Sequence, residues 1–89
     1  MSTTLQSAYD TLSQALTETF RIPAEELSLE TTIGSLELDS LALAELAVSL
    51  SERLGVSVTE EGVTAETTLG DFAQGMADAL AAAHRPEAR

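Results

Sequence analysis

The residues best placed to do chemistry in this sequence are Leu38-Asp39-Ser40-Leu41, which stand directly before an apolar run. Asp39 is a favoured N-cap residue, so we expect Ser40 just inside the start of a helix. A phosphate ester on its hydroxyl would meet backbone N–H groups that lack intrahelical partners, at the positive end of the helix dipole. The tetrapeptide alone leaves two interpretations open: Ser40 is an attachment point, or it is only another capping residue.

Other chemistry has little support in the residue types. A serine nucleophile needs a base within hydrogen-bond reach, and the only histidine, His84, falls at the far end of the last predicted helix. The chain has no cysteine, which removes disulfides, thiolate nucleophiles and cysteine metal sites. Acid pairs such as Glu25-Glu26 and Glu60-Glu61 lie in polar stretches, where solvated surface charge is the expected role. Metal-binding and nucleotide-binding motifs are not found.

The length and charge of the chain limit its function classes. Its 89 residues predict one domain, and 15 acidic residues against four arginines give a net charge of −11. This balance disfavours nucleic acids and anionic membranes as partners. The acidity either only maintains solubility or steers the domain toward basic partner surfaces. Without a membrane-spanning run or a signal-peptide pattern, we expect a cytoplasmic location.

Hydrophobic periodicity predicts helices near 4–19, 40–54 and 69–84, a short helical turn over 60–65, and a tail over 85–89. Pro23 ends the first helix, Gly55 is the expected residue after the second, and Thr68 caps the last. The long connection over 21–38 should place its apolar residues against the bundle and position Ser40 at its end. These residues are Leu27, Leu29, Ile33 and Leu36.

The second helix has two apolar faces, which is more than a surface helix needs. The first face predicts core contacts and consists of Leu43, Leu46, Ala47, Leu50 and Leu54. The second face consists of Leu41, Ala44 and Val48, and it leaves open whether these residues fill the core or form an exposed contact patch.

The stretch from Ile33 to Leu46, IGSLELDSLALAEL, resembles the phosphopantetheine attachment region of acyl carrier proteins. The resemblance continues through Glu52-Arg53-Leu54-Gly55-Val56 and through Thr67-Thr68-Leu69-Gly70-Asp71. It implies a single all-α domain over 1–89, a four-helix bundle with three main helices and a short third one. It also implies a carrier rather than an enzyme. A phosphopantetheinyl transferase would attach 4′-phosphopantetheine to Ser40, and the thiol of this arm would hold acyl groups as thioesters.

The resemblance also implies a surface for partner recognition around the second helix. The matching positions are Asp39, Leu41, Ala44, Glu45, Val48 and Glu52. The implied partners are the transferase, a ketosynthase, an acyltransferase or other synthase enzymes with basic docking surfaces, and the carrier itself is usually a monomer.

Three departures from the family pattern narrow the assignment. Glu37 stands where the family commonly has glycine, so the chain is expected to bend instead through Gly34. Ala42 and Ser51 stand where many fatty-acid carriers have acids. The sequence therefore looks closest to stand-alone carriers of polyketide and other specialised pathways. Alternatives are a fatty-acid carrier, a peptidyl or aminoacyl carrier of a nonribosomal pathway, and an unmodified acidic helical module that binds one partner through the second apolar face.

Overall fold

Three α-helices and two short 3-10 helices form the part of the chain that the computed structural model describes, residues 3–84, with side chains over 5–83. The α-helices are α1 (Thr3–Phe20), α2 (Ser40–Leu54) and α3 (Leu69–His84), and the 3-10 helices are Ala24–Glu26 and Gly34–Leu36. The predicted bounds of α2 and α3 are confirmed, and those of α1 differ by one residue at each end. The predicted tail over 85–89 lies outside the described residues.

The core lies between the three helices, because each contributes one apolar stripe. α1 contacts both α2 and α3. The predicted core face of α2 is confirmed, since Leu46, Ala47 and Leu50 are buried and Leu43 and Leu54 pack against the cluster while partly buried. The other fully or nearly fully buried apolar residues are Ala8, Leu12, Ala15, Leu16, Ile33, Leu69, Phe72, Ala73, Met76 and Ala77.

The connection from α1 to α2, residues 21–39, is called here the first connection. Three of its apolar residues contact the core as predicted: Ile33 is buried, and Leu27 and Leu36 are partly buried. Leu29 departs from the prediction, because half of its surface remains exposed to solvent.

The described residues contain three α-helices rather than four, and the prediction of a short helix over 60–65 is therefore wrong. Two turns, at 61–62 and 65–66, take its place. Gly62 has a φ of +83°, which a right-handed helix does not allow. The backbone N–H of Thr64 donates to Oγ1 of Thr67 (3.0 Å), and that of Glu66 donates to Oγ1 of Thr64 (3.2 Å). Threonine hydroxyls here take the place of helical carbonyls as acceptors.

The second connection, residues 55–68, is bound to the first through backbone hydrogen bonds. Residues from 29–34 pair with residues from 65–70, and Thr32 and Thr68 form an isolated antiparallel bridge. We call this arrangement the clasp. Its four N–H···O=C bonds run from Gly34 to Ala65 (2.8 Å), from Ile33 to Thr67 (2.8 Å), from Leu69 to Thr31 (2.8 Å) and from Gly70 to Leu29 (2.9 Å).

Candidate functional site

Ser40 is the first residue of α2 and is exposed to solvent. The helix begins there because Asp39 has an extended backbone and its Oδ1 accepts the N–H of Ala42 at 2.8 Å, as predicted for an N-cap. On the other side of the cap, Leu38 and Leu43 both pack against the core, which fixes the angle at which the chain enters the helix. The capping role is thus filled by Asp39, and Ser40 is an exposed residue beside it.

The position of Ser40 favours a negatively charged substituent. The first backbone N–H groups of a helix have no acceptor within the helix, and Asp39 satisfies the one at Ala42. A phosphate ester on Ser40 would lie beside the remaining first-turn N–H groups and the positive end of the dipole of α2. The site can therefore hold a phosphodiester without a nearby cationic side chain.

The residue that bends the chain toward Ser40 is Glu37. It has a φ of +61° and a ψ of +34°, and its N–H donates to the carbonyl of Gly34 (3.0 Å) to close the 3-10 helix Gly34–Leu36. The expectation that the bend passes through Gly34 is therefore wrong. Glu37, which stands where the family commonly has glycine, is the residue with the left-handed conformation. Gly34 instead permits a close contact within the clasp.

The second apolar face of α2 is exposed rather than part of the core. Leu41 is 68% exposed and Val48 is 59% exposed, while Ala44 between them is half-buried. The acids that the sequence placed at its edge are exposed as well: Asp39, Glu45 and Glu52. All six predicted recognition residues therefore lie on, or directly before, one helix. We call them the α2 face.

The family comparison agrees with this geometry. The family model described as "Phosphopantetheine attachment site" matches residues 10–75, about three quarters of the chain. This chain belongs to the phosphopantetheine attachment family. Its members are carrier domains rather than enzymes, they hold 4′-phosphopantetheine through a covalent bond, and they interact with transferases and synthase enzymes. No solved structure matches the chain.

The residues of this carrier domain fit the prosthetic group. An attachment residue must offer a hydroxyl at the protein surface, and Ser40 is an exposed serine at a helix start. The sequence has no cysteine, so the thiol that carries cargo must come from the group itself.

Competing site chemistries find no support in the described part of the carrier domain. No group of His, Asp or Glu side chains among the described residues could hold a metal ion. No polar or charged residue in this part of the chain is buried, so the acid pairs remain in contact with water. The side chain of His84 lies outside the described residues. No described helix has the length and apolar content that crossing a membrane requires.

One residue of the α2 surface was not predicted as part of the recognition set. Ser49 lines a shallow depression of about 310 Å³ together with Ala44, Glu45, Val48 and Glu52. Its hydroxyl accepts the Nε–H of Arg53 (3.3 Å), and the same guanidinium donates to Oε1 of Glu18 on α1 (2.8 Å). The spacing of Ser49 from Glu45 and Glu52 on one helix could have included it in the predicted face.

Proposed function

We propose that this chain is an acyl carrier protein in which Ser40 bears 4′-phosphopantetheine. The observation that carries the proposal is the exposed hydroxyl at the first position of α2, with N-capping supplied by the neighbouring Asp39. When bound, the group supplies a thiol that holds acyl intermediates as thioesters between successive enzymes. The chain's own residues present the attachment oxygen, favour the phosphate at the helix start and offer the α2 face to partners.

Intact-mass measurement tests this assignment. The purified chain is incubated with coenzyme A, Mg²⁺ and a permissive phosphopantetheinyl transferase, and we expect a gain of one phosphopantetheine. Ser40→Ala should gain nothing, whereas Ser7→Ala, which removes another exposed serine, should be modified like the parent. Circular dichroism checks that both variants are folded. An unmodified parent beside a modified control carrier, or a modified Ser40→Ala variant, would refute the assignment.

The α2 face supports docking on basic enzyme surfaces. The described residues hold 14 acids against Arg21 and Arg53, and Arg53 is paired with Glu18. Exposed apolar side chains beside carboxylates suit a weak, charge-guided contact, because a carrier must leave each partner after delivery. We propose the phosphopantetheinyl transferase, a ketosynthase and an acyltransferase as partners, a monomeric state, and a cytoplasmic location.

We propose a polyketide or related specialised pathway for the cargo. Helix α2 carries Ala42 and Ser51 at positions where many fatty-acid carriers have acids, so its charge pattern differs from that branch. The Ser51 hydroxyl accepts the N–H of Val58 (2.8 Å) and donates to the carbonyl of Ala47 (2.8 Å), and it therefore fastens the second connection to α2. Serine at this position supports an internal structural role rather than partner docking. A fatty-acid carrier and a nonribosomal carrier are the alternatives.

Loading reactions distinguish these pathways. The holo-protein is offered in parallel to three enzyme sets. The first two are a malonyl-transferring acyltransferase with a polyketide ketosynthase and the fatty-acid synthase enzymes, each with malonyl-CoA and a starter acyl-CoA, and the third is an amino-acid-activating enzyme with its amino acid and ATP. Mass spectrometry of the arm then shows which cargo is loaded. Efficient elongation only by the polyketide set supports the proposal, and preferential loading by either other set would replace it.

The second candidate function is an unmodified interaction module, and the exposure of Leu41 and Val48 is the observation that favours it. Such a module would bind one partner through the α2 face without needing an arm. The same mass measurement separates the two functions, because the module predicts no gain of phosphopantetheine on Ser40.

A further inference from the structure

The clasp brings two segments about 30 residues apart into close backbone contact at Gly34. A Cβ placed on Gly34 would lie 2.9 Å from Cβ of Ala65 and 2.9 Å from its carbonyl oxygen. Distances below 3.0 Å between a Cβ and a non-bonded heavy atom are essentially never found in proteins. Because the carbonyl belongs to the backbone, it could make room for a Cβ only if the second connection itself moved. The φ of Gly34 is not positive, and the contact rather than the backbone conformation is therefore what requires glycine.

The other end of the clasp is similarly tight. A Cβ on Gly70 would lie 3.0 Å from the carbonyl oxygen of Leu29. Between these two glycines, four hydrogen bonds of 2.8 to 2.9 Å join the connections. The glycines thus permit a contact that determines how the first connection is held at the N-terminus of α3.

Gly34 links the clasp to the attachment site. Its N–H donates to Ala65 in the second connection, and its carbonyl accepts the N–H of Glu37 (3.0 Å). Glu37 then turns the chain in the left-handed conformation, and Leu38 and Asp39 lead directly into Ser40. A displacement at Gly34 would pass along this short segment to the first turn of α2.

The residues of the α2 face beyond the first turn, from Ala44 to Glu52, are held by separate contacts. Leu46, Ala47 and Leu50 anchor α2 in the core, and Ser51 ties its last turns to Val58. A change in the clasp should therefore displace the attachment serine more than it displaces the docking side chains farther along the helix.

We propose that Gly34 and Ala65 act as a positioning pair for modification of Ser40. Their close contact closes the clasp, and the clasp holds the attachment hydroxyl in the position from which the transferase modifies it. The inference rests on the proposed function, because it concerns the reaction at Ser40. It adds a requirement beyond the α2 face, since neither residue lies on α2.

The test compares Gly34→Ala with Gly75→Ala in the full chain. A Cβ on Gly75 meets nothing within 4 Å, so the second variant adds the same methyl group at an open position. Rates of phosphopantetheine transfer are measured with the same permissive transferase for every variant, at saturating coenzyme A. For Gly34→Ala we expect kcat to fall about tenfold or more with little change in KM, because misplacement of a reacting group by about 1 Å can cost about 100-fold. Gly75→Ala should match the parent.

Two further variants separate positioning from loss of stability. Ser13→Gly, in the middle of α1, weakens the fold outside the clasp, and at a temperature where all variants are folded it should keep the parent's kcat. Adding Ala65→Gly to Gly34→Ala removes one of the two close contacts and should recover part of the lost kcat. Hydrogen exchange at the amides of Ile33 and Leu69 should quicken in Gly34→Ala and slow again in the double variant.

The outcomes are distinct from those that test the proposed function. If the parent accepts the arm at Ser40 and Gly34→Ala is modified with the parent's kcat, the positioning pair is refuted while the carrier function stands. The pair is also refuted if Ser13→Gly loses kcat to the same extent, or if only KM changes in Gly34→Ala. A parent that accepts no arm would instead refute the carrier function.

Discussion

Replacing Glu37 with glycine should stabilise this carrier domain. Glu37 has a φ of +61° at the end of the 3-10 helix Gly34–Leu36, in the region where side chains with a Cβ are strained. Its side chain is exposed to solvent, so its removal leaves no cavity in the core. The backbone bond from its N–H to Gly34 survives the substitution.

The expected magnitude follows from two opposing terms. A residue other than glycine in the left-handed conformation costs about 1–2 kcal/mol, and glycine removes this cost. Glycine also gives the unfolded chain more freedom, which costs about 0.4–1 kcal/mol. With the middle of each energy range, about 1.5 and about 0.7 kcal/mol, the net effect stabilises the variant by about 0.8 kcal/mol. This corresponds to a rise in Tm of about 3–6 °C for a domain of this size.

Thermal and urea denaturation, followed by circular dichroism, measure the effect. Glu25→Gly is the matched control: it removes another exposed acid from a 3-10 helix, but at a residue whose φ is not positive. The control should lose about 0.5–1 kcal/mol. If Glu37→Gly melts at or below the parent's temperature, or if Glu25→Gly stabilises the protein equally, the assignment of strain to Glu37 is wrong.

Two further changes test the core and the α2 face. Leu50→Ala should lower the free energy of unfolding by about 2–5 kcal/mol, because Leu50 is 0% exposed. Leu41→Ala, at a 68% exposed position, should change it by less than about 0.5 kcal/mol. Equal urea midpoints for the two variants would contradict the assignment of the faces. Converting both Glu45 and Glu52 to Gln should raise the KM of a basic partner enzyme for the carrier at low salt, by up to about 5-fold for each acid, with kcat unchanged. The difference in KM should shrink as salt is added. Glu26→Gln removes an exposed acid outside α2 and should leave KM as it is, so an equal rise there would mean that total charge, not the α2 face, guides docking.

Most of the helical framework could be predicted because its signals are local. Asp39, Gly55 and Thr68 each act within one helical turn: Asp39 accepts the N–H of Ala42, Gly55 has a φ of +74°, and Thr68 accepts the N–H of Asp71 at 3.0 Å. Periodicity then divides the apolar residues of α2 into two faces and predicts the core face, whereas the exposure of the second face was decided by the structure. The exposure of Ser40 follows from its place at the helix start.

The failures all lie in the two connections. The sequence over 60–65 was predicted as helix, but Gly62 and the threonine hydroxyls of Thr64 and Thr67 favour turns. The bend was predicted at Gly34, but the left-handed residue is Glu37. At 60–65 the reason is local, because threonine hydroxyls two or three positions away accept the backbone N–H groups. At Gly34 the reason is a contact with the distant Ala65, which a single sequence does not display.

The sequence by itself determined the three main helices, the caps of α2 and α3, the core face of α2, and the serine that opens that helix. These properties depend on residues within about four positions of one another, so the order of side chains specifies them. Only the tertiary structure decided that the connections close into a clasp, that Gly34 is needed there for space rather than for bending, and that Glu37 takes the left-handed turn. The clasp is made of backbone N–H and C=O groups, which nearly every residue carries, so its pairing left no pattern of side chains to recognise.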